Sequence, residues 1–189
     1  MLTYSEVKPG VAVIIDGEPY VCTWNNIMQK QQRRPVNQTK MRSLLRGNVI
    51  EHSFQQSDKL QEAEIEQRPS VFIYERGGEW FFHPAGKPSE RFTVKGEIVG
   101  EAGRFLKGNT ELMTHWFQNA LIRVQVPIKM ELKVKEAPPA VKGNTAQGGS
   151  KLITLETGTV LNAPLFINEG DIVRINTETG EYVERVDKK

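Results

Sequence analysis

A cationic, amide-rich segment carries the side chains best suited to chemistry with an anionic partner. It covers residues 28–38 and reads Met-Gln-Lys-Gln-Gln-Arg-Arg-Pro-Val-Asn-Gln. Its central residues are Lys30, Gln31, Gln32, Arg33, Arg34 and Pro35. Arginine and lysine neutralise phosphates, and glutamine amides can hydrogen-bond to base edges or ribose hydroxyls of folded RNA. The pattern favours an exposed loop that contacts RNA, and a solvated loop whose charge serves only solubility is the open alternative.

The charge of the chain is concentrated around this segment. The formal net charge of the 189 residues is only +2, yet no acidic residue occurs between Pro19 and Ile50. The cations of that stretch are Lys30, Arg33, Arg34, Lys40, Arg42 and Arg46. A nearly neutral protein has no strong overall field, so any argument for nucleic-acid binding rests on this local asymmetry.

Other residue types form no pattern for catalysis or metal binding. His52, His83 and His115 are too scattered for a metal site, and Cys22 is the only cysteine, so no internal disulfide can form. Neither a phosphate-binding glycine loop nor a nucleophile elbow occurs. We therefore predict a protein without catalytic residues, metal or cofactor, in a reducing cytoplasmic location.

Strands are the elements that must position the cationic segment. Residues 11–15 form an apolar, β-branched run, and the dipeptide Asp16-Gly17 that follows accepts the positive φ angles of a tight hairpin turn. A second hairpin is predicted around Gly77-Gly78. Repeated short strands with glycine-rich turns indicate small β-barrels, so the predicted fold class is all-β.

Two short helical segments and four buried side chains are predicted among the strands. One helical turn is expected over 57–63, because side-chain oxygens at its start can accept free N–H groups, and another within 97–107. The side chains expected in the cores, rather than at a binding surface, are Cys22, Trp24, Trp80 and Trp116.

Two prolines divide the chain into three parts of similar length. Pro69 and Pro127 suit junctions because proline cannot donate to a sheet ladder. The predicted domains are residues 1–66, 67–127 and 128–189. No run of eighteen apolar residues occurs, so no membrane span and no membrane partner are predicted.

The carboxyl-terminal part holds the most specific motifs. They read Leu-Glu-Thr-Gly at 155–158, Ala-Pro-Leu-Phe-Ile-Asn-Glu-Gly-Asp at 163–171 and Gly-Glu-Tyr-Val-Glu-Arg-Val at 180–186. Asp-Gly-Glu-Pro-Tyr at 16–20 and Val-Lys-Gly-Asn-Thr-Ala at 141–146 accompany them. Together they resemble the elongation factor P family, and the resemblance runs along essentially the whole chain.

The resemblance implies both architecture and function. It implies an L-shaped arrangement of three β-barrels, in which a KOW or SH3-like domain with the cationic loop precedes two OB-folds. It implies a monomeric, non-enzymatic factor that binds the bacterial ribosome, both its rRNA and its proteins, beside the peptidyl-tRNA. Such a factor promotes peptide-bond formation at consecutive prolines, where the partner is prolyl-tRNA.

The loop tip departs from the pattern of many relatives, which carry a modified lysine between glycines. Counting back from Lys40 without a gap places Gln32 at the modified position, whereas a shift of one residue places Arg33 there. We expect an unmodified tip that faces the peptidyl-transferase centre and acts through its own side chains. The tip comprises Lys30, Gln31, Gln32, Arg33, Arg34 and Pro35, and Gln31, Gln32, Arg33 and Arg34 are the side chains expected to act directly.

Further RNA contacts are predicted outside the tip. The resemblance and the residue types assign them to Lys40, Arg42, Lys142, Gly143, Asn144, Thr145, Tyr182 and Arg185. Alternatively, residues 142–145 form only a turn, Tyr182 belongs to a barrel core, and Arg185 is a surface salt-bridge partner. Rival functions are an OB-fold RNA-binding protein that acts off the ribosome and a divergent paralogue with another stalling preference. An enzyme with an unrecognised site is the third rival.

Overall fold

Antiparallel β-sheet provides nearly all of the regular structure. The structure is a computed structural model and describes residues 1–29, 34–139 and 149–187. Within these residues it contains fourteen strands in three sheets, one α-helical turn and one 3₁₀ helix. The predicted all-β fold class is confirmed.

The first sheet forms the barrel that carries the cationic segment. Its strands are β1 (Ala12–Ile15), β2 (Glu18–Met28), β3 (Val36–Ser43) and β4 (Val49–Gln55), in the order β1-β2-β3-β4. The turn between β1 and β2 has positive φ at both central residues, 51° at Asp16 and 82° at Gly17. This geometry matches the right-handed twist of the strands, and the hairpin predicted there is confirmed.

The second sheet follows in the order β7-β6-β5-β8-β9. Its strands are β5 (Glu66–Arg76), β6 (Glu79–Pro84), β7 (Phe92–Lys95), β8 (Glu111–Phe117) and β9 (Ala120–Gln125). Helix α1 (Gly96–Val99) and the 3₁₀ helix (Glu101–Phe105) lie between β7 and β8. The hairpin at Gly77-Gly78 and the short helix within 97–107 are both confirmed.

The third sheet has the order β12-β11-β10-β13-β14. Its strands are β10 (Lys129–Glu136), β11 (Ser150–Leu155), β12 (Val160–Pro164), β13 (Ile172–Asn176) and β14 (Glu181–Asp187). Along β10, Met130, Leu132 and Val134 are buried while the residues between them are exposed. This alternation places one face of the strand against the barrel core.

The described residues divide into two compact units. One consists of Met1–Arg68 with Thr114–Arg123, and the other of Pro69–Met113 with Val124–Lys189. In the first unit the barrel core consists of Val7, Val13, Cys22, Met41, Phe54 and Leu60. The boundaries of the three predicted domains stay a prediction, and strand β5 begins at Glu66, one residue before the predicted start of the second domain.

Two local expectations from the sequence are wrong. Residues 57–63 form no helical turn. Asp58 instead accepts a hydrogen bond from the backbone N–H of Gln55 at 2.7 Å, and the chain continues extended through isolated bridges at Leu60 and Glu62. The side chain expected to cap a helix therefore stabilises the end of β4. Pro69, expected between strands, lies inside β5.

Candidate functional site

A long β-hairpin places the cationic segment at its end. Strands β2 and β3 stay paired to the register Met28↔Val36, so residues 29–35 form the connection between them. From the buried Cys22 to Met28 the stem extends by about 20 Å at the usual rise per residue. The hairpin is thus a stem that carries the segment away from the barrel core.

The tip itself is only partly described. Lys30, Gln31, Gln32 and Arg33 lie outside the described residues, so the assignments made for them stay predictions. Arg34 is exposed and Pro35 is half-buried, directly before β3 begins. The guanidinium of Arg34 therefore lies at the far end of the stem.

A buried amide fixes the upper part of the stem. Asn37 is 0% exposed, and its side-chain Nδ2 donates to the carbonyl oxygens of Tyr4 at 2.7 Å and Val7 at 2.9 Å. Its Oδ1 accepts a hydrogen bond of 3.2 Å from Asn25 Nδ2. The amide ties the amino-terminal segment to the hairpin close to its tip. Its sequence signal was the alternation along β3, in which every second residue is apolar or a small polar residue.

The outer face of β3 carries two of the cations assigned to RNA. Buried and exposed residues alternate strictly, so Gln38, Lys40 and Arg42 share the exposed face. The register places Lys40 opposite Trp24 on β2 and opposite Glu51 on β4. Within the described part of the chain, neither Lys40 nor Arg42 forms an ion pair. Both cations are available to an anionic partner.

Trp24 was expected in the core, and this expectation is wrong. Its side chain is 46% exposed, because a β-bulge shifts the register between Cys22, opposite Met41, and Trp24, opposite Lys40. Simple alternation from the buried Cys22 would direct Trp24 inward, and the extra residue Thr23 reverses it. The Thr23 hydroxyl donates to the Lys40 carbonyl oxygen at 3.0 Å, which stabilises the bulge.

The other two tryptophans are half-buried. Trp116 donates from Nε1 to the Thr114 hydroxyl at 2.9 Å, and the Arg68 guanidinium lies 4.7 Å from the centre of its ring. Trp80 packs closely enough against Gly103 that a methyl group there would lie 2.9 Å from the indole. Both contribute to packing, although neither is fully buried in a core as the sequence predicted.

Arg185, the second arginine assigned to RNA contact, lies against a buried carboxylate. Its NH1 is 3.5 Å from Oδ2 of Asp171, whose side chain is 2% exposed, and its guanidinium lies 5.2 Å above the Phe166 ring. The same carboxylate oxygen accepts the backbone N–H of Asn168 at 2.9 Å. Arg185 thus has a structural role, and its own side chain is still 28% exposed.

Tyr182 lines an open groove of about 920 Å³ in the third barrel. The groove lies beside strands β12 and β14, and its wall includes Ser150, Leu161, Asn162 and Phe166. Burial raises the pKa of the Tyr182 hydroxyl, and the nearby positive charge of Arg185 partly opposes that rise. The predicted contacts at Lys142, Gly143, Asn144 and Thr145 lie outside the described residues.

Among residues 1–29, 34–139 and 149–187, no three His, Cys, Asp or Glu side chains lie close enough together to hold a metal ion. No helix in the described ranges is long and apolar enough to cross a bilayer.

Two family models match this chain. Residues 3–60 match the model described as the elongation factor P (EF-P) KOW-like domain, and residues 130–185 match the one described as elongation factor P, C-terminal. The first match contains the cationic hairpin, and the second contains Asp171, Tyr182 and Arg185.

Curated relatives match along nearly the whole length. The elongation factor P of Coprothermobacter proteolyticus is 37% identical over 186 residues, covering 98% of this chain and 100% of that protein. The elongation factor P of Natranaerobius thermophilus is 36% identical, with 98% of each chain covered. That of Carboxydothermus hydrogenoformans is 34% identical over 98% of this chain and all of its own.

Solved structures share the fold at low identity. Eukaryotic translation initiation factor 5A from Methanococcus jannaschii aligns with a TM-score of 0.53 at 15% identity, over 65% of this chain and 92% of that one. A translation initiation factor eif-5a family protein from Naegleria fowleri gives 0.54 at 12% identity, over 66% and 96%. These two likenesses concern the fold alone.

Proposed function

This chain belongs to the elongation factor P family, and on that premise we propose that it binds the bacterial ribosome beside the peptidyl-tRNA and promotes peptide-bond formation at consecutive prolines. Family membership supports a role as a translation factor. The proposed partners are ribosomal RNA and proteins and the peptidyl-tRNA, above all prolyl-tRNA. The proposed location is the cytoplasm, and the proposed state is a monomer.

The observation that carries the proposal is the hairpin. Its stem is fixed by the buried amide of Asn37 and bears Lys40 and Arg42 on its outer face. It ends in the segment that contains Arg34. A rigid stem with cations along one side and at its end is suited to lie along an RNA backbone, because each cation can neutralise a phosphate.

The proposed activity requires this chain to position the tRNA-bound reactants and does not require it to supply a catalytic group. Proline reacts slowly as donor and acceptor because its ring restricts the approach of the reacting groups. Holding two reactants in the productive geometry lowers the barrier by removing translational and rotational freedom in advance. A factor that braces the tRNA acts in this way without an acid, base or nucleophile of its own, so we propose that it is not an enzyme.

The tip is proposed to act unmodified. Neither Gln32 nor Arg33, the two residues that alignment can place at the usual modified position, is a lysine. Arginine is permanently charged and presents a planar fork of donors to phosphate, so Arg33 and Arg34 can supply the positive charge directly. Intact-mass measurement of protein from its native cell tests this, and an added mass on the 30–34 peptide contradicts it.

The decisive experiment is a reconstituted translation assay. Ribosomes translate one message with three consecutive proline codons and a matched message with alanine codons, with and without the factor, and toeprinting locates the stalled ribosomes. We expect the factor to remove the pause at the proline codons and to leave the alanine message unchanged. An unchanged proline pause, at factor concentrations that saturate the ribosome, contradicts the function. Relief at other codons instead points to a paralogue with a different preference.

A further inference from the structure

The outer face of the hairpin stem exposes a large aromatic ring next to a cation. Trp24 is 46% exposed, although the indole is among the side chains that gain most from burial. The register places it directly opposite Lys40, which has no ion pair among the described residues. Facing residues on neighbouring strands lie about 5 Å apart at Cβ, so one partner can contact both side chains.

The backbone is built to present this ring outward. The bulge at Thr23 reverses the direction that alternation would give Trp24, and two side-chain hydrogen bonds hold it. The Thr23 hydroxyl donates to the carbonyl oxygen of Lys40 at 3.0 Å, and the Cys22 thiol donates to that of Trp24 at 3.3 Å. Bulges re-aim side chains at functional positions.

The chemistry of the surrounding face favours RNA. Around the indole lie the amides of Asn26 and Gln38, paired with each other across the strands, and the cations Lys40 and Arg42. Glu51 is the acidic residue opposite Lys40, but it lies on β4, two strands from the indole and about 10 Å away. An aromatic ring between amides and cations, with acid only at its margin, is the composition of a nucleotide-stacking platform.

We infer that Trp24 stacks on an unpaired nucleotide at the acceptor end of the peptidyl-tRNA, while Lys40 and Arg42 neutralise the adjoining phosphates. The inference rests on the proposed function and on the expectation that the tip faces the peptidyl-transferase centre, where the acceptor end of the peptidyl-tRNA lies. Trp24 lies four residues below the end of the stem, about 13 Å at the rise of a strand. The ring is therefore expected to contact nucleotides next to those that the tip contacts.

Three substitutions separate stacking from simple packing. Trp24→Phe keeps an aromatic face, Trp24→Leu keeps apolar bulk without one, and Trp24→Ala removes both. Loss of base–aromatic stacking weakens binding by about tenfold or more. We therefore expect the Leu and Ala variants to lose about tenfold or more in affinity, and the Phe variant to lose at most about threefold. Affinity is measured with fluorescently labelled factor on ribosomes that carry prolyl-tRNA, and thermal unfolding confirms that each variant is folded.

A photo-crosslink identifies the contacted molecule. A benzophenone amino acid replaces Trp24, the complex is irradiated, and tRNA, ribosomal RNA and ribosomal proteins are separated by size. The crosslinked nucleotide is then identified by nuclease digestion and mass spectrometry. We expect the tRNA acceptor end. A crosslink to ribosomal RNA or to a ribosomal protein overturns the inference, and so does a Leu variant that binds as tightly as the parent.

The two proposals fail in distinguishable ways. If the parent protein binds prolyl-tRNA ribosomes and relieves the pause while Trp24→Leu does the same, only the stacking role is wrong. If the parent does not bind these ribosomes at all, the proposed function is wrong, and the stacking inference that rests on it is wrong as well.

Discussion

The guanidinium of Arg185 lies 3.5 Å from the buried carboxylate of Asp171 in the third barrel. This contact changes the meaning of a substitution at Arg185. A loss of ribosome binding in Arg185→Ala would follow from direct RNA contact, and it would also follow from disturbance of the barrel. The two causes need separate measurements.

Arg185→Ala is expected to lower the free energy of unfolding by about 1–3 kcal/mol, because it removes the cation beside a buried carboxylate. Arg185→Lys keeps the charge and is expected to lose less. Urea unfolding followed by circular dichroism measures both. The double variant Asp171→Asn with Arg185→Ala removes the uncompensated charge, so a binding defect that persists in a stable double variant assigns an RNA contact to Arg185. Equal stability of Arg185→Ala and the parent contradicts the structural role.

Asn37→Ala is expected to destabilise the first barrel by about 1–3 kcal/mol. The substitution leaves the carbonyl oxygens of Tyr4 and Val7 without their side-chain donor in a buried position. Gln38→Ala, on the next and exposed position of the same strand, is the matched control and is expected to change stability by less than about 0.5 kcal/mol. Chemical unfolding of both variants is the measurement, and equal stabilities contradict the role of the buried amide.

Replacing Arg33 and Arg34 by alanine is expected to weaken ribosome binding and to flatten its salt dependence. Each lost phosphate contact lowers the slope of log affinity against log salt by about one. Lys8 and Lys59 are exposed cations of the same unit outside the hairpin, and their double alanine variant keeps the same net charge as the test variant. Sedimentation with ribosomes at several salt concentrations compares the two. Equal slopes contradict a specific role of the tip.

The pKa of Tyr182 is raised chiefly by burial. A group with a raised folded-state pKa stabilises the fold below its unfolded value, and the contribution is lost as pH rises through the folded value. Above about pH 10, the ordinary tyrosine value, the protein is therefore expected to lose stability, and Tyr182→Phe is expected to lose less. Unfolding between pH 8 and 11 tests this. Parallel curves for the two proteins contradict the assignment.

The Cys22 thiol is expected to react slowly in the folded protein. Its side chain is 1% exposed, and burial raises its pKa, so little thiolate is present at neutral pH. Labelling with a maleimide is expected to be at least about tenfold slower than for the same protein in denaturant. Comparable rates in the two conditions would show that the strand around Cys22 opens readily.

The sequence was sufficient to predict the fold class and the two tight hairpin turns. The turn at Asp16-Gly17 follows from local chemistry, because few residues accept positive φ at two successive positions. The prediction of a helical turn at 57–63 was wrong because the same local hydrogen bond occurs in two structures. Asp58 can accept a backbone N–H either at the start of a helix or at the end of a strand, and the local sequence does not distinguish the two.

The candidate site was less predictable because it depends on register. The exposure of Trp24 follows from one extra residue in β2, and the residue types of that strand do not predict a bulge there. The role of Asn37 depends on a carbonyl oxygen more than thirty residues away along the chain. Such relationships arise only when the strands are paired, whereas charge and turn propensity are local properties.

The amide that fixes the stem lies below the tip, so the barrel does not rely on the tip for its stability. Any segment that spans from Met28 to Val36 would be held at the same point in space. Substitutions between Met28 and Val36 are therefore expected to change what the end of the hairpin contacts and to leave the stability of the barrel nearly unchanged.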